Sequence, residues 1–164
     1  MTVVDWIAQW IAAWPGAVLL QRSGTAYLLV NAAHILGLGL LVGAILPLDL
    51  RLLGFFRGVP LGVVGPFLSR AAATGLGLAI ATGLWLFSVK PAEYLANDAF
   101  LIKLALLAAA LLNIAVQHHS GAFVRALMDN GADGGIGIGV RLAAFCSALL
   151  WLSVLVAGRW IGFI

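Results

Sequence analysis

The sequence predicts an all-α integral membrane protein, a bundle of four transmembrane helices preceded by an N-terminal interfacial helix. Three observations carry that reading. Of 164 residues 63% are hydrophobic and 9% charged, where a soluble domain of this size carries about 25% charged residues. Mean hydropathy is +1.12, and there are too few ionisable groups to clothe a water-facing surface. The few charges also fall at regular intervals, separated by apolar stretches close to the ~20 residues that one helical crossing requires. The runs are apolar throughout and do not alternate, which excludes the strands of a membrane barrel.

The elements follow in order. In the first twenty residues Trp6, Trp10 and Trp14 recur every fourth position, on one helical face, while Asp5, Gln9 and Pro15 interrupt the apolar run. An interfacial helix on the outer surface is expected there, with a re-entrant or short spanning segment as the alternative. The first span is expected at 24–48, uncharged between Arg22 and Asp49, and the second at 71–89, between Arg70 and Lys90. The third is expected at 104–124, between Lys103 and Arg125, and the fourth at 142–160, between Arg141 and Arg159. The glycines from Gly131 to Gly139 read as a turn into the last helix, since a phosphate loop needs a preceding strand. The chain reads as one domain, without an internal repeat, a signal peptide or a second cysteine to pair with Cys146.

Four spans put Arg51, Arg57, Arg70, Arg125 and Arg141 on one side, and Arg22, Lys90, Lys103 and Arg159 on the other. By the positive-inside rule the first side is cytoplasmic, so both termini lie outside. Tyr27, Trp85, Tyr94 and Trp160 cluster near the opposite face, as headgroup-level aromatics do. The nine Lys and Arg give a net charge of +3 but form no basic run, which excludes nucleic acid as a partner.

Polar residues within spans carry the functional argument, because lipid penalises them. His34 lies near the centre of the first span, with Asn31 and Gly37 one turn away on either side. His118 and His119 lie in the third, where Asn113 and Gln117 form an i, i+4 pair. Histidine ligates metals and haem. On the expected spans His34 lies about 2 Å outside the midplane and His118 about 6 Å inside it, a separation of roughly 8 Å that helix tilt can absorb. Gly37 would leave room for a flat macrocycle, provided that the third helix stays continuous through Ser120 and Gly121. Arg51, and Lys103 on the other side, read either as ordinary flanking charges or as holders of an acidic group such as a haem propionate or lipid headgroup. The plainer reading of the histidines is an interhelical hydrogen bond, and that of Gly39, Gly43, Gly75 and Gly77 is helix packing. Nothing in the sequence forms a hydrolytic centre.

His34, the string Asp49-Leu50-Arg51-Leu52-Leu53-Gly54, Thr82-Gly83 with Leu86-Phe87, the stretch from Asn97 to Lys103 and then Asn113 resemble an uncharacterised family of small bacterial inner-membrane proteins. The resemblance covers nearly all of the chain from Tyr27 onward. It implies the bacterial cytoplasmic membrane and no particular activity. A remoter likeness is to four-helix b-type cytochromes and to copper-resistance membrane proteins, which also place histidines within spans. The chain departs from the two-haem membrane cytochromes, since three histidines allow one bis-histidine site at most. Met128 with His118 and His119 hints at copper, without a Met-rich or Cys-rich cluster.

The sequence thus points first to a small b-type cytochrome or electron-transfer subunit. His34 and His118, and less directly His119, would hold one haem b between the first and third spans, and Asn31 or Gln117 would orient an imidazole. Its partners would be the bilayer, a quinone or a redox protein, and a second copy or a larger membrane complex. The alternatives are a non-redox carrier or channel for a small solute, lined by Asn31, His34, Asn113 and Gln117, and a structural or accessory subunit.

Overall fold

The computed structural model describes residues 3–129 and 136–163, apart from the side chain of Val4. Eight helices make up the described chain: α1 (Val3–Ala13), α2 (Pro15–Arg22), α3 (Gly24–Leu53), α4 (Leu61–Phe87), α5 (Pro91–Leu95), α6 (Asp98–His119), α7 (Gly121–Met128) and α8 (Ile138–Trp160). Four of them, α3, α4, α6 and α8, are long and apolar enough to cross a membrane. The expected glycine-rich turn lies outside the described residues between 131 and 135.

The spans exist where the apolar runs place them, but their ends differ for a physical reason. Charge marks where lipid ends, whereas capping and turn chemistry mark where a helix ends. Thus α3 runs on through Asp49 and Arg51 and stops only at Gly54, whose φ of +105° supplies the left-handed cap. The third span starts six residues before its expected place. Asn97 caps α6 by accepting from the Phe100 amide at 3.1 Å, which leaves Lys103 inside the helix. At the other end Ser120 is extended (φ −76°, ψ 121°) and its hydroxyl accepts from Ala122 to start α7. The expected continuity through Ser120 and Gly121 is therefore broken.

The bundle is asymmetric. α3 packs most extensively on α4 and also on α8, while α6 packs mainly on α8. The α3–α4 contact is backbone on backbone. A Cβ built on Gly37 would meet Ala79 N at 2.8 Å and Gly75 O at 3.0 Å, and one on Gly75 would meet Leu41 N at 2.5 Å. Small residues let membrane helices approach this closely. Gly39, Gly43 and Gly77, expected to share that role, meet nothing within 4 Å. Asn113 links α6 to α8 by donating to Ala143 O at 3.0 Å. Trp151, 1% exposed, fills the middle with Leu41, Ala44, Ile45, Ala72 and Ala110.

The N-terminal segment is two helices, split where Pro15 begins α2. At eleven residues α1 is about 16 Å long, too short to cross a bilayer core. It packs against α5, and α2 packs against α3 and α4. Gln21 ties the segment down by donating to Ala12 O at 3.2 Å and Val89 O at 3.1 Å, and Trp85 Nε1 donates to Gly16 O at 2.9 Å. Trp14 meets Trp85 in a tilted ring contact with centroids 6.2 Å apart, while Trp6 and Trp10 are more exposed than Trp14. Tyr94, on α5, joins Phe87 and Phe100 in an aromatic cluster at this end.

Gly37→Ala or Gly75→Ala forces two backbones apart and is expected to cost about 1–3 kcal/mol. Gly39→Ala, in open space, is expected to be neutral or to stabilise by up to about 1 kcal/mol, both read from thermal unfolding in detergent. Burial first, then Tyr27 and Glu93, pushes the Tyr94 phenol above its ordinary value, with Lys90 opposing. The folded chain holds that proton more tightly than the unfolded chain. Its stabilising effect is complete below the unfolded phenol value and is lost as pH rises through the folded one, so Tyr94→Phe should flatten the alkaline limb of the stability profile.

Candidate functional site

The polar residues that line the bundle's cavities fall into two layers. One contains His34 and Lys103, and the other contains Asp49 and His118. Both α3 and α6 contribute to each layer, and on each helix the layers are fifteen residues apart, about 22 Å. Leu41 and Leu76 line the cavities of both layers and stand between them.

The first cavity, of about 250 Å³, lies among α3, α4, α6 and α8. His34 reaches it from α3 over Gly83, where an added Cβ would stand 3.1 Å from the imidazole Cε1. Its Nδ1 lies 3.0 Å from Thr82 Oγ1. The Thr82 hydroxyl itself donates to Leu78 O at 2.6 Å, so its oxygen accepts from His34 Nδ1–H. That network assigns the Nδ1-protonated tautomer to a neutral His34 and leaves Nε2 as an acceptor. Lys103 and Trp151 line the same cavity. Among the described residues Lys103 pairs with no acid, and the buried Trp151 Nε1 has no hydrogen-bond partner.

The second cavity, of about 130 Å³, is lined by Asp49, Ser69, Gln117, His118 and Ser147 on an otherwise apolar wall. Asp49 is 3% exposed and Ser147 equally so. Ser147 lies beside the Asp49 carboxyl group, and Asp49 Oδ2 is buried without a partner. No cation pairs with Asp49 among the described residues. From the sequence Asp49 reads as a flanking charge, because the uncharged run ends at Leu48. The signal available was the apolar periodicity of Leu41, Ala44, Ile45, Leu48 and Leu52, which runs past Asp49 and sets it on the buried side of a continuing helix.

The expected site residues do not converge. His34 and His118 sit in different layers, and α3 and α6 do not pack side by side. His118 and His119 are both exposed; His118 Nδ1 donates to Ile114 O at 3.1 Å and His119 Nδ1 to Ala115 O at 2.8 Å. Asn31 is exposed. The space expected beside Gly37 for a macrocycle holds the backbone of α4. Arg51 is buried and donates to Val59 O at 2.8 Å, fastening the 54–60 loop to α3. Among the described residues no three His, Cys, Asp or Glu side chains gather as a metal site. The residues as placed do not fit a haem held by His34 and His118.

Four long apolar helices around internal cavities define a multi-pass helical membrane protein. Within that class the chain belongs to a family of unknown function, DUF6644, whose model matches residues 12–164. No curated protein and no solved structure matches it.

The His34–Thr82 bond gives a direct check on the first layer. Thr82→Val should destabilise the bundle by about 0.5–1.5 kcal/mol. In a His34→Ala background the same change should cost almost nothing, as a thermal double-mutant cycle would show.

Proposed function

We propose that the chain binds a small cationic solute in the Asp49 cavity, as a non-redox carrier or channel of the bacterial cytoplasmic membrane. The Asp49 end would face the cytoplasm, and α1 would lie in the outer interface with its exposed tryptophans toward the headgroups. One observation carries the reading: a buried carboxylate oxygen without a partner, in a cavity. A charged group inside a membrane bundle costs several kcal/mol unless something compensates it. Ser147 lies on one side of Asp49, and a bound cation would compensate the other. At about 130 Å³ the cavity holds some four water volumes of about 30 Å³ each, which suits a solute the size of an alkylammonium ion. Ser69, Gln117 and Ser147 would offer oxygens to its N–H groups, and the apolar wall would receive its carbon.

The cytochrome reading has no comparable support, because its two axial histidines lie in separate layers. The solute pocket expected from Asn31, His34, Asn113 and Gln117 retains only Gln117 in this cavity. Asn113 spends its amide on α8.

Methylammonium tests the proposal at constant ionic strength against a bulky quaternary cation. Methylammonium should raise the thermal stability of the wild type, by about 2.7 kcal/mol at a hundred times its Kd. The bulky cation should do nothing. Asp49→Asn should lose the methylammonium effect while remaining folded. Equal shifts in wild type and Asp49→Asn would sink the proposal.

A further inference from the structure

The His34–Lys103 layer has a chemistry of its own, unlike that of the Asp49 cavity, and His34 stands about 22 Å along α3 from Asp49. Its wall is apolar and aromatic, with Phe87, Phe100 and Trp151 among the residues lining it. No Asp or Glu lines it. Lys103 reaches toward α8, where a Cβ on Gly158 would stand 3.6 Å from its Cε, and it meets no counter-ion among the described residues. An ammonium drawn into a bundle without an anion loses hydration and gains little in return. Trp151 adds an indole N–H that is buried and unpartnered, although a buried indole usually finds an acceptor. A lysine amine and an indole N–H thus border a single cavity that no Asp or Glu lines.

The shape of the cavity indicates where such an anion enters. Ile80, Leu84 and Leu104 line it and are also exposed on the bundle surface. In a membrane that surface faces acyl chains, so the cavity has a lateral opening into lipid. At about 250 Å³ it takes a headgroup and the first part of a chain, and the remainder of the chain stays in the bilayer.

From these observations we infer that the cavity of His34, Lys103 and Trp151 is a binding site for a single-chain lipid carboxylate, entered laterally from the bilayer. Lys103 supplies the counter-charge and Trp151 Nε1–H a hydrogen bond. His34 Nε2, an acceptor in the neutral ring, takes the carboxyl proton when the acid arrives in its neutral, lipid-soluble form. The proton moves from the carboxyl oxygen to Nε2, leaving a carboxylate beside an imidazolium and an ammonium. His34 Nδ1–H stays on Thr82 throughout.

A diazirine-bearing palmitate, photolysed with the purified full-length protein in neutral phosphatidylcholine nanodiscs, tests this directly. Labelling should fall on residues of α4 and α6 at the cavity mouth. It should persist in Lys103→Arg and weaken at least about tenfold in Lys103→Met, since the charge-assisted contact is lost. Unlabelled palmitate should compete, whereas hexadecanol of the same chain length should not. Lys103→Met is checked for wild-type elution and thermal stability, and Lys103→Arg shows that a side chain of similar length and charge suffices. Labelling that hexadecanol blocks as well as palmitate does would overturn the proposal, as would labelling unchanged in Lys103→Met. Displacement by phosphatidylglycerol would also overturn it, by making the ligand a phospholipid headgroup.

Discussion

Most of this architecture depends on one contact, the crossing of α3 and α4 at Gly37 and Gly75. There the backbones meet without an intervening side chain, closely enough that a methyl group on either glycine would collide with main-chain atoms. Lipid tails are as apolar as leucine, so burial of apolar surface gives these helices little reason to associate. Close dispersion contact and interhelical hydrogen bonds must do so instead. Drawing α3 and α4 together leaves α6 leaning on α8. The space that α6 does not fill is divided by Leu41 and Leu76 into two cavities. The close α3–α4 contact and the two cavities are thus consequences of the same asymmetry.

What each cavity can do follows from the residues that the membrane would least tolerate. Asp49 and Lys103 are ionisable groups of opposite type, sit in different layers and do not pair with one another. A design for stability alone would replace both by apolar side chains, because a buried charge seldom repays its desolvation. Their presence, each at an internal cavity and each without a counter-charge among the described residues, is the reason to read both cavities as binding sites. His34 belongs with Lys103. Its tautomer follows from the Thr82 hydroxyl, which is already committed to Leu78.

The fold was legible in the sequence because lipid makes charge placement strict. Four uncharged runs gave four long helices, and the tryptophan spacing foretold a helix near the N-terminus. Helix ends were less legible. Span limits were read from charges, while the chain ends its helices at Asn97, Ser120 and Gly54 by capping and turn chemistry. That shift decided the site. Moving α6 by six residues carried Lys103 into the bundle and took His118 to the helix end, one layer away from His34. Gly37 was legible as a small residue but not as a contact, since only the partner helix shows which glycines of a run face inward. Asp49 was read as the boundary of a span, although the apolar positions around it continue to Leu52.

A cation site at Asp49 requires that this residue give its cavity a negative potential. The most direct measurement is the thiol reactivity of Ser69→Cys, which lines the cavity, in a Cys146→Ser background. Cationic and anionic methanethiosulfonates of similar size would be compared in nanodiscs. The account predicts faster modification by the cationic reagent, with the preference collapsing when Asp49→Asn is added. Equal rates for both reagents, unchanged by Asp49→Asn, would contradict it.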